Sequence, residues 1–359
     1  MLQIQKSIHQ WYHSNKRDLP WRHTDDAYQI WISEIMLQQT QVKQGLPYYL
    51  RFMENFATVQ DLAKAEEDEV LKLWQGLGYY SRARNLHAAA KQVVDDYEGI
   101  FPTRYEDLIK LKGIGDYTAS AVSSFSSGEA RPCIDGNVIR VICRLFGIDT
   151  PYDTGEGKKI IRALAEELLY EKDSALHNQS MMEFGALQCT PKKPNCEQCP
   201  TREVCVAFAN KQVLELPIKS KKTKVKDLFL YYFVFQHGDE LLIQQRSGSG
   251  IWKNMYEFPL LESDTMLSKA DLLNYLSQTE NSSVTTVQEP NNDEYSEAHL
   301  SFSESYTHIL SHRKIQATFI KIDSESLPTM KDTLTVTRED FSNYPVSRLI
   351  ERYWEDTQE

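Results

Sequence analysis

The stretch LIKLKGIGDYTASAV, residues 108–122, decides how the first part of the chain is read. It consists of two apolar segments with helical spacing, separated by Gly-Ile-Gly. Glycines here let the turn take positive φ angles and let a second backbone come close. Amides at the start of the second segment then face outward, where they favour an anion. The pattern predicts a helix–hairpin–helix over 108–122, with Gly113 and Gly115 in the hairpin. A plain corner between two helices would show the same glycines, so neighbouring sequence has to separate the two readings.

Working outward, YQIWISEIMLQQTQV (28–42) and RPCIDGNVIRVICRLFG (131–147) repeat apolar residues at helical spacing. DLAKAEEDEVLKLW (61–74) adds an aspartate start signal to the same period. The character changes at Leu228. LFLYYFVFQHGDELLIQQR (228–246) reads as a hairpin about a Gly-Asp turn, and SESYTHILSHRKIQATFIKI (303–322) repeats the strand character. The predicted organisation is an all-α domain over 1–218, a lysine-rich linker over 219–226, and an α+β domain over 227–359.

The net charge of −11 does not exclude a nucleic-acid partner, because the charge is unevenly distributed. Residues 227–359 carry 10 Lys+Arg against 22 Asp+Glu, while residues 1–218 carry 25 against 29. The helical part is therefore near neutral and free to present a basic face. No run of eighteen apolar residues suggests a membrane span. The N-terminus lacks the apolar core of a signal peptide, which points to a cytoplasmic protein.

Six cysteines in 359 residues do not make a disulfide framework. Four of them crowd into CTPKKPNCEQCPTREVC, residues 189–205. Cys189, Cys196, Cys199 and Cys205 are spaced by six, two and five intervening residues. Thiolates are soft ligands for zinc or iron–sulfur clusters. A structural zinc site usually pairs two CxxC knuckles, and here there is one. The spacing favours a [4Fe–4S] cluster. Cys133 and Cys143 lie on an apolar pattern and read as core. Asp135, just before the apolar positions Val138, Val141, Ile142 and Leu145, reads first as a helix N-cap.

The cysteine spacing resembles the cluster signature of the endonuclease III superfamily of DNA glycosylases. The Gly-Ile-Gly hairpin and the DGNVIRV segment (135–141) are similar to that superfamily's hairpin and catalytic-aspartate elements, in the same order along the chain. Further segments narrow the resemblance. LPWR (19–22), WISEIMLQQTQV (31–42) and LWQGLGYYSRARNL (73–86) resemble adenine DNA glycosylases, which remove adenine mispaired with 8-oxoguanine. The likeness resumes weakly at QQRSGSGIWKNMYEFP (244–259) and THILSH (307–312).

The resemblance implies an all-α helix–hairpin–helix glycosylase domain with an iron–sulfur loop, followed by a Nudix-like domain. It implies Glu34 as general acid and Asp135 as stabiliser of an oxocarbenium-like sugar, with Tyr117 and Asn137 hydrogen-bonding around them. Gln38, Gln39, Leu77 and Tyr79 would fill the gap left by a flipped base, and Gly113 and Gly115 would meet the DNA backbone. Ser311 and His312, with Tyr79, would recognise 8-oxoguanine. The family's phenylalanine before that Ser-His pair is Leu310 here. Bifunctional relatives carry a lysine where Tyr117 stands, so base removal without strong lyase action is expected. The C-terminal part lacks the acidic Nudix signature, so no pyrophosphatase activity is expected of it. The implied partner is double-stranded DNA with A:8-oxoguanine or A:G mispairs, bound by a monomer. The competing readings are a thymine-glycol-type glycosylase–lyase and a cluster-bearing DNA-binding protein without catalysis.

Overall fold

The computed structural model describes residues 1–220, 225–248, 250–281, 300–310, 313–323 and 326–357. The chain forms two compact units, one of residues 1–64 and 85–222, the other of 65–84 and 223–359. None of the described helices is long and apolar enough to cross a membrane.

The helical elements are α1 (Leu2–Asn15), α2 (Ala27–Leu37), α3 (Val42–Asn55), α4 (Val59–Lys64), α5 (Glu67–Trp74), α6 (Ser81–Asp96), α7 (Tyr105–Leu108), α8 (Asp116–Ser127), α9 (Gly136–Phe146), α10 (Gly155–Leu168), α11 (Ser174–Leu187) and α12 (Val206–Ala209). Local chemistry sets several starts. The side chain of Asp26 accepts from the Tyr28 N–H, that of Asp135 from the Asn137 and Val138 N–H groups, and that of Thr154 from the Gly157 N–H. Helix α9 lies in a core with α1, α10 and α11, built on Ile8, Val141, Ile142, Ile161, Leu168 and Phe184. Cys133 and Cys143 are buried, as their apolar setting predicts.

Two helical readings change. The period over 28–42 predicts one helix, but α2 ends at Leu37 and Gln38 is already extended, with φ −58° and ψ 114°. Gln39 takes a left-handed φ of 57°. Residues 61–74 likewise divide into α4 and α5, with Glu66 extended between them. The break falls where the chain passes from one compact unit to the other, so tertiary packing overrides a continuous local preference.

The second unit contains eight strands among the described residues, in the order β3-β2-β1-β7-β5, with β4 on β1, β6 on β7 and β8 on β2. They are β1 (Lys226–His237), β2 (Glu240–Gln245), β3 (Tyr256–Glu257), β4 (Leu260–Ser263), β5 (Leu300–Phe302), β6 (Tyr306–Ile309), β7 (Arg313–Asp323) and β8 (Thr333–Thr337). The predicted hairpin is β1–β2, closed at Gly238 with φ 57°. Strand β1 also runs parallel to β7, from Lys226 opposite Arg313 to Gln236 opposite Asp323. Tyr231, Phe233 and Phe235 pack toward α13 (Lys269–Asn281), with Leu272 and Leu276. Tyr232 stacks on Phe319 at 5.0 Å, and Phe319 on Tyr353 at 3.8 Å. Tyr353 belongs to α15 (Arg348–Asp356), which follows the short α14 (Arg338–Phe341). Both faces of β1 are thus covered, which explains its unbroken apolar run.

Candidate active site

A cleft of about 1220 Å³ opens in the helical unit, lined by parts of α2, α8, α9 and α11. It is large enough for a nucleobase with its sugar. Helix α2 is almost wholly buried, and Glu34 lies on it at 7 % exposure among Ile30, Trp31 and Ile35. The Tyr117 hydroxyl, from the first turn of α8, donates to Glu34 Oε2 at 2.6 Å. Burial pushes the Glu34 carboxyl up to about 7. The Tyr117 hydrogen bond opposes the rise, the nearby Asp135 charge adds to it, and Arg22 opposes it.

Asp135 is both an N-cap and a cleft residue. Its Oδ1 accepts from the backbone N–H of Asn137 at 2.9 Å and of Val138 at 2.8 Å. Its Oδ2 accepts from the Asn137 side-chain amide at 2.6 Å. Burial raises its pKa, while these donors and Arg140 hold it down. Burial raises both carboxyls on balance, and they differ in their donors. Glu34 has a proton to give near neutral pH, and Asp135 is supplied with donors that favour the anion.

Local sequence did not reveal several neighbours. Glu183 on α11 is buried and accepts from both Arg17 and Arg22. Arg17 Nε lies 2.9 Å from Oε1, and Arg22 Nη2 lies 2.8 Å from Oε2. Here burial is outweighed, and the carboxyl is held down at about 2 by hydrogen bonds from the two guanidinium groups. A charge within the apolar run MMEFGAL (181–187) was the available signal, because a buried charge needs a partner. Tyr12 donates to Gln179 Oε1 at 2.7 Å, and Gln179 also faces the cleft. Gln38 and Gln39 line the cleft, and the Gln38 amide donates to Thr118 at 3.2 Å.

The hairpin glycines lie at the same cleft. Gly113 has φ 76°, and a Cβ there would sit 2.6 Å from Asn85 Cβ, so a side chain is excluded on both counts. Gly115 is the N-cap of α8. Leu77 and Tyr79 belong to the other compact unit. Leu77 is buried at 4 %, and Tyr79 is 47 % exposed with φ 51°. Ser311 and His312 lie outside the described residues.

The four clustered cysteines follow α11. Three of the thiols, Cys189, Cys199 and Cys205, bear electrostatically on Cys196. Among the described residues, no three His, Cys, Asp or Glu side chains are grouped to hold a single metal ion. Four cysteines in one short loop are soft donors of the kind that a metal centre takes. Arg144 donates to Cys189 Sγ at 3.4 Å, a contact suited to a thiolate. Arg140 joins this loop to the cleft. It donates to the carbonyl of Cys189 at 2.7 Å and of Gly185 at 2.6 Å, and to Asn137 Oδ1 at 2.9 Å.

Comparison with known proteins places this geometry. Residues 32–170 match the family described as HhH-GPD superfamily base excision DNA repair protein, and residues 230–356 match a NUDIX domain. An adenine DNA glycosylase of Buchnera aphidicola (subspecies Schizaphis graminum) is 38 % identical over 250 residues, covering 69 % of this chain and 72 % of its own. The chain belongs to the adenine DNA glycosylase family. Solved structures agree on the fold of the helical part. A thermostable thymine-DNA glycosylase aligns with TM-score 0.54 at 31 % identity, covering 58 % of this chain and 95 % of that one. A non-covalent endonuclease III–DNA complex aligns with TM-score 0.51 at 20 % identity, covering 58 % and 94 %. The HhH-GPD match takes in Glu34, Tyr117, Asp135 and Asn137. A Nudix-like domain follows a helix–hairpin–helix glycosylase domain, as the fold class read from the sequence has it.

Proposed function

We propose that the protein hydrolyses the N-glycosidic bond of adenine in duplex DNA, where adenine is mispaired with 8-oxoguanine or guanine. The observation that carries this reading is the unequal pair of cleft carboxyls, Glu34 up at about 7 and Asp135 held by N–H donors. Adenine in a duplex is out of reach, so it enters the cleft flipped. Glu34 gives its proton to N7 of the leaving base and then manages the attacking water. Asp135 faces the positive charge that develops on the sugar. Tyr117 holds Glu34, and Asn137 holds Asp135. Tyr117 offers no amine, so no Schiff base forms at that position and lyase action is weak or absent.

Gln38, Gln39 and Tyr79 meet the gap in the duplex, with the exposed Tyr79 ring as its stacking surface, while Leu77, buried at 4 %, supports the turn from inside its own unit. Gly113 and Gly115 let the hairpin approach phosphate. Ser311 and His312, with Tyr79, read the opposite base. Cys189, Cys196, Cys199 and Cys205 hold a [4Fe–4S] cluster, which supplies an anionic brace between four points of the loop. The protein acts as a monomer in the cytoplasm, on DNA. The functional division is a glycosylase part over 1–218, a linker over 219–226 and a mismatch-recognition part over 227–359.

One experiment tests the activity. Duplexes with A opposite 8-oxoguanine, T opposite G, and thymine glycol are each incubated with excess protein. Free adenine with little strand scission is expected from the first alone. Scission of the thymine-glycol duplex, release of thymine from the second, or binding without release would each overturn the reading. Iron and acid-labile sulfide analysis of the same preparation should give about four irons per chain. One zinc and no sulfide would remove the cluster.

A further inference from the structure

The segment Ala65–Arg84 belongs to the compact unit of the C-terminal residues, although the helical unit flanks it in sequence. At its tip, Gly76, Gly78 and Tyr79 have φ of 90°, 79° and 51°. A left-handed tyrosine is uncommon and persists where its surroundings enforce it. Part of the enforcement is internal. Trp74 Nε1 and Arg82 Nη2 both donate to the Gly78 carbonyl at 3.1 Å. The rest comes through Gln75, the residue that ends α5. Its Oε1 accepts from the Val346 N–H at 3.2 Å and from Lys72 at 3.2 Å. Its Nε2 donates to Glu351 Oε1 at 2.8 Å. Lys72 also donates to the Tyr344 carbonyl at 3.1 Å, and Glu351 accepts from Arg348 at 2.7 Å.

We infer that Gln75 is a positioning residue for Tyr79, its amide clamped by Val346 and Glu351 so that the C-terminal residues set how the Tyr79 ring is offered to DNA. The inference rests on the reading of Tyr79 as a gap-filling residue. Both ends of the Gln75 amide are engaged, so the side chain cannot rotate without losing a bond at each end. The left-handed turn begins at the next residue, and its own bonds carry the fixed geometry on to Tyr79. C-terminal residues then contribute to mispair affinity through Tyr79, in addition to any contact of their own with DNA.

The test is a double-mutant cycle in the full chain, read as affinity for a duplex with A opposite 8-oxoguanine and as single-turnover adenine release at saturating protein. Base–aromatic stacking is worth enough for Tyr79→Ala to weaken binding about tenfold. Gln75→Ala and Glu351→Ala should each approach that loss, and Glu351→Ala attacks the clamp from its other side. Either change combined with Tyr79→Ala should weaken binding no further than Tyr79→Ala alone, because coupled residues are not additive. Saturating release by the two clamp variants should stay within about twofold of the unaltered protein. Exchanging the pair, Gln75→Glu with Glu351→Gln, keeps one donor and one acceptor and should restore affinity. Additive losses, a failed exchange, or an unchanged affinity in both clamp variants beside a tenfold loss in Tyr79→Ala would overturn the inference and leave the proposed function standing. A silent Tyr79→Ala would overturn the stacking reading of Tyr79, and this inference with it.

Discussion

Two glutamates line the same cleft and are both buried, yet their chemistry is opposite. Glu34 has one neutral donor, the Tyr117 hydroxyl, and burial wins, so its carboxyl rises to about 7. Glu183 has two guanidinium groups, and they win, so its carboxyl falls to about 2. Burial alone therefore does not keep a carboxyl protonated. The identity of the nearest donor decides whether a buried carboxyl keeps its proton for chemistry or spends its charge on structure.

Replacing the first glutamate should have the largest effect. Glu34→Gln keeps the size and removes the proton donor. Adenine release in a single turnover should fall by about 10³-fold or more, as expected for a lost general acid. The same change should stabilise the fold, because a carboxyl raised from 4.5 to about 7 disfavours the folded state when ionised. The sign follows from proton uptake. Between pH 4.5 and about 7 the folded chain holds a proton that the unfolded chain releases, so stability falls as pH rises. Thermal unfolding should show the variant gaining more over the unaltered protein at pH 8 than at pH 5. Equal gains at both pH values would mean that Glu34 is not the raised group.

The second glutamate should act on folding. Its folded pKa lies below the ordinary 4.5, so its stabilisation is complete above 4.5 and disappears as pH falls toward about 2. Glu183→Gln leaves Arg17 and Arg22 facing a neutral amide and should cost roughly 3 kcal/mol at pH 7, read by denaturant unfolding. The difference between variant and unaltered protein should shrink as the pH is lowered from 5 to 3. A variant as stable as the parent at pH 7 would break the contrast between the two sites.

The two sites also differ in how far sequence alone reveals them. Asp135 is legible because a cap bonds to N–H groups two and three residues away. Gly113 is legible because its turn needs a left-handed φ, and the four cysteines are legible because their spacing is itself the signal. Glu183 is not, since its partners Arg17 and Arg22 lie 166 and 161 residues away in sequence. The same limit hides the parallel pairing of β1 with β7 and the departure of residues 65–84 into the other compact unit. The end of α2 at Leu37 fails for a related reason. The segment read from sequence as helical runs on to Val42, whereas the backbone turns at Gln38, whose amide reaches Thr118 on α8.

The smallest effect, and the sharpest test of why Glu34 differs, belongs to Tyr117. Its hydroxyl donates to the ionised form of Glu34 at 2.6 Å, so it holds the carboxyl below the value burial alone would set. Tyr117→Phe removes that donor while leaving the ring and the burial. The Glu34 pKa should rise above about 7, and the alkaline limb of kcat/KM for adenine release should move to higher pH. That ratio is the right measure, because it reports groups of the free protein. Arg22→Lys should leave the limb closer to its original place, since a positive charge remains near Glu34 and the Tyr117 bond is intact. A limb that stays put in Tyr117→Phe, or moves to lower pH, would mean that the tyrosine does not restrain the acid. The difference between Glu34 and Glu183 would then rest on the Arg17 and Arg22 guanidinium groups, which bond to Glu183 and not to Glu34.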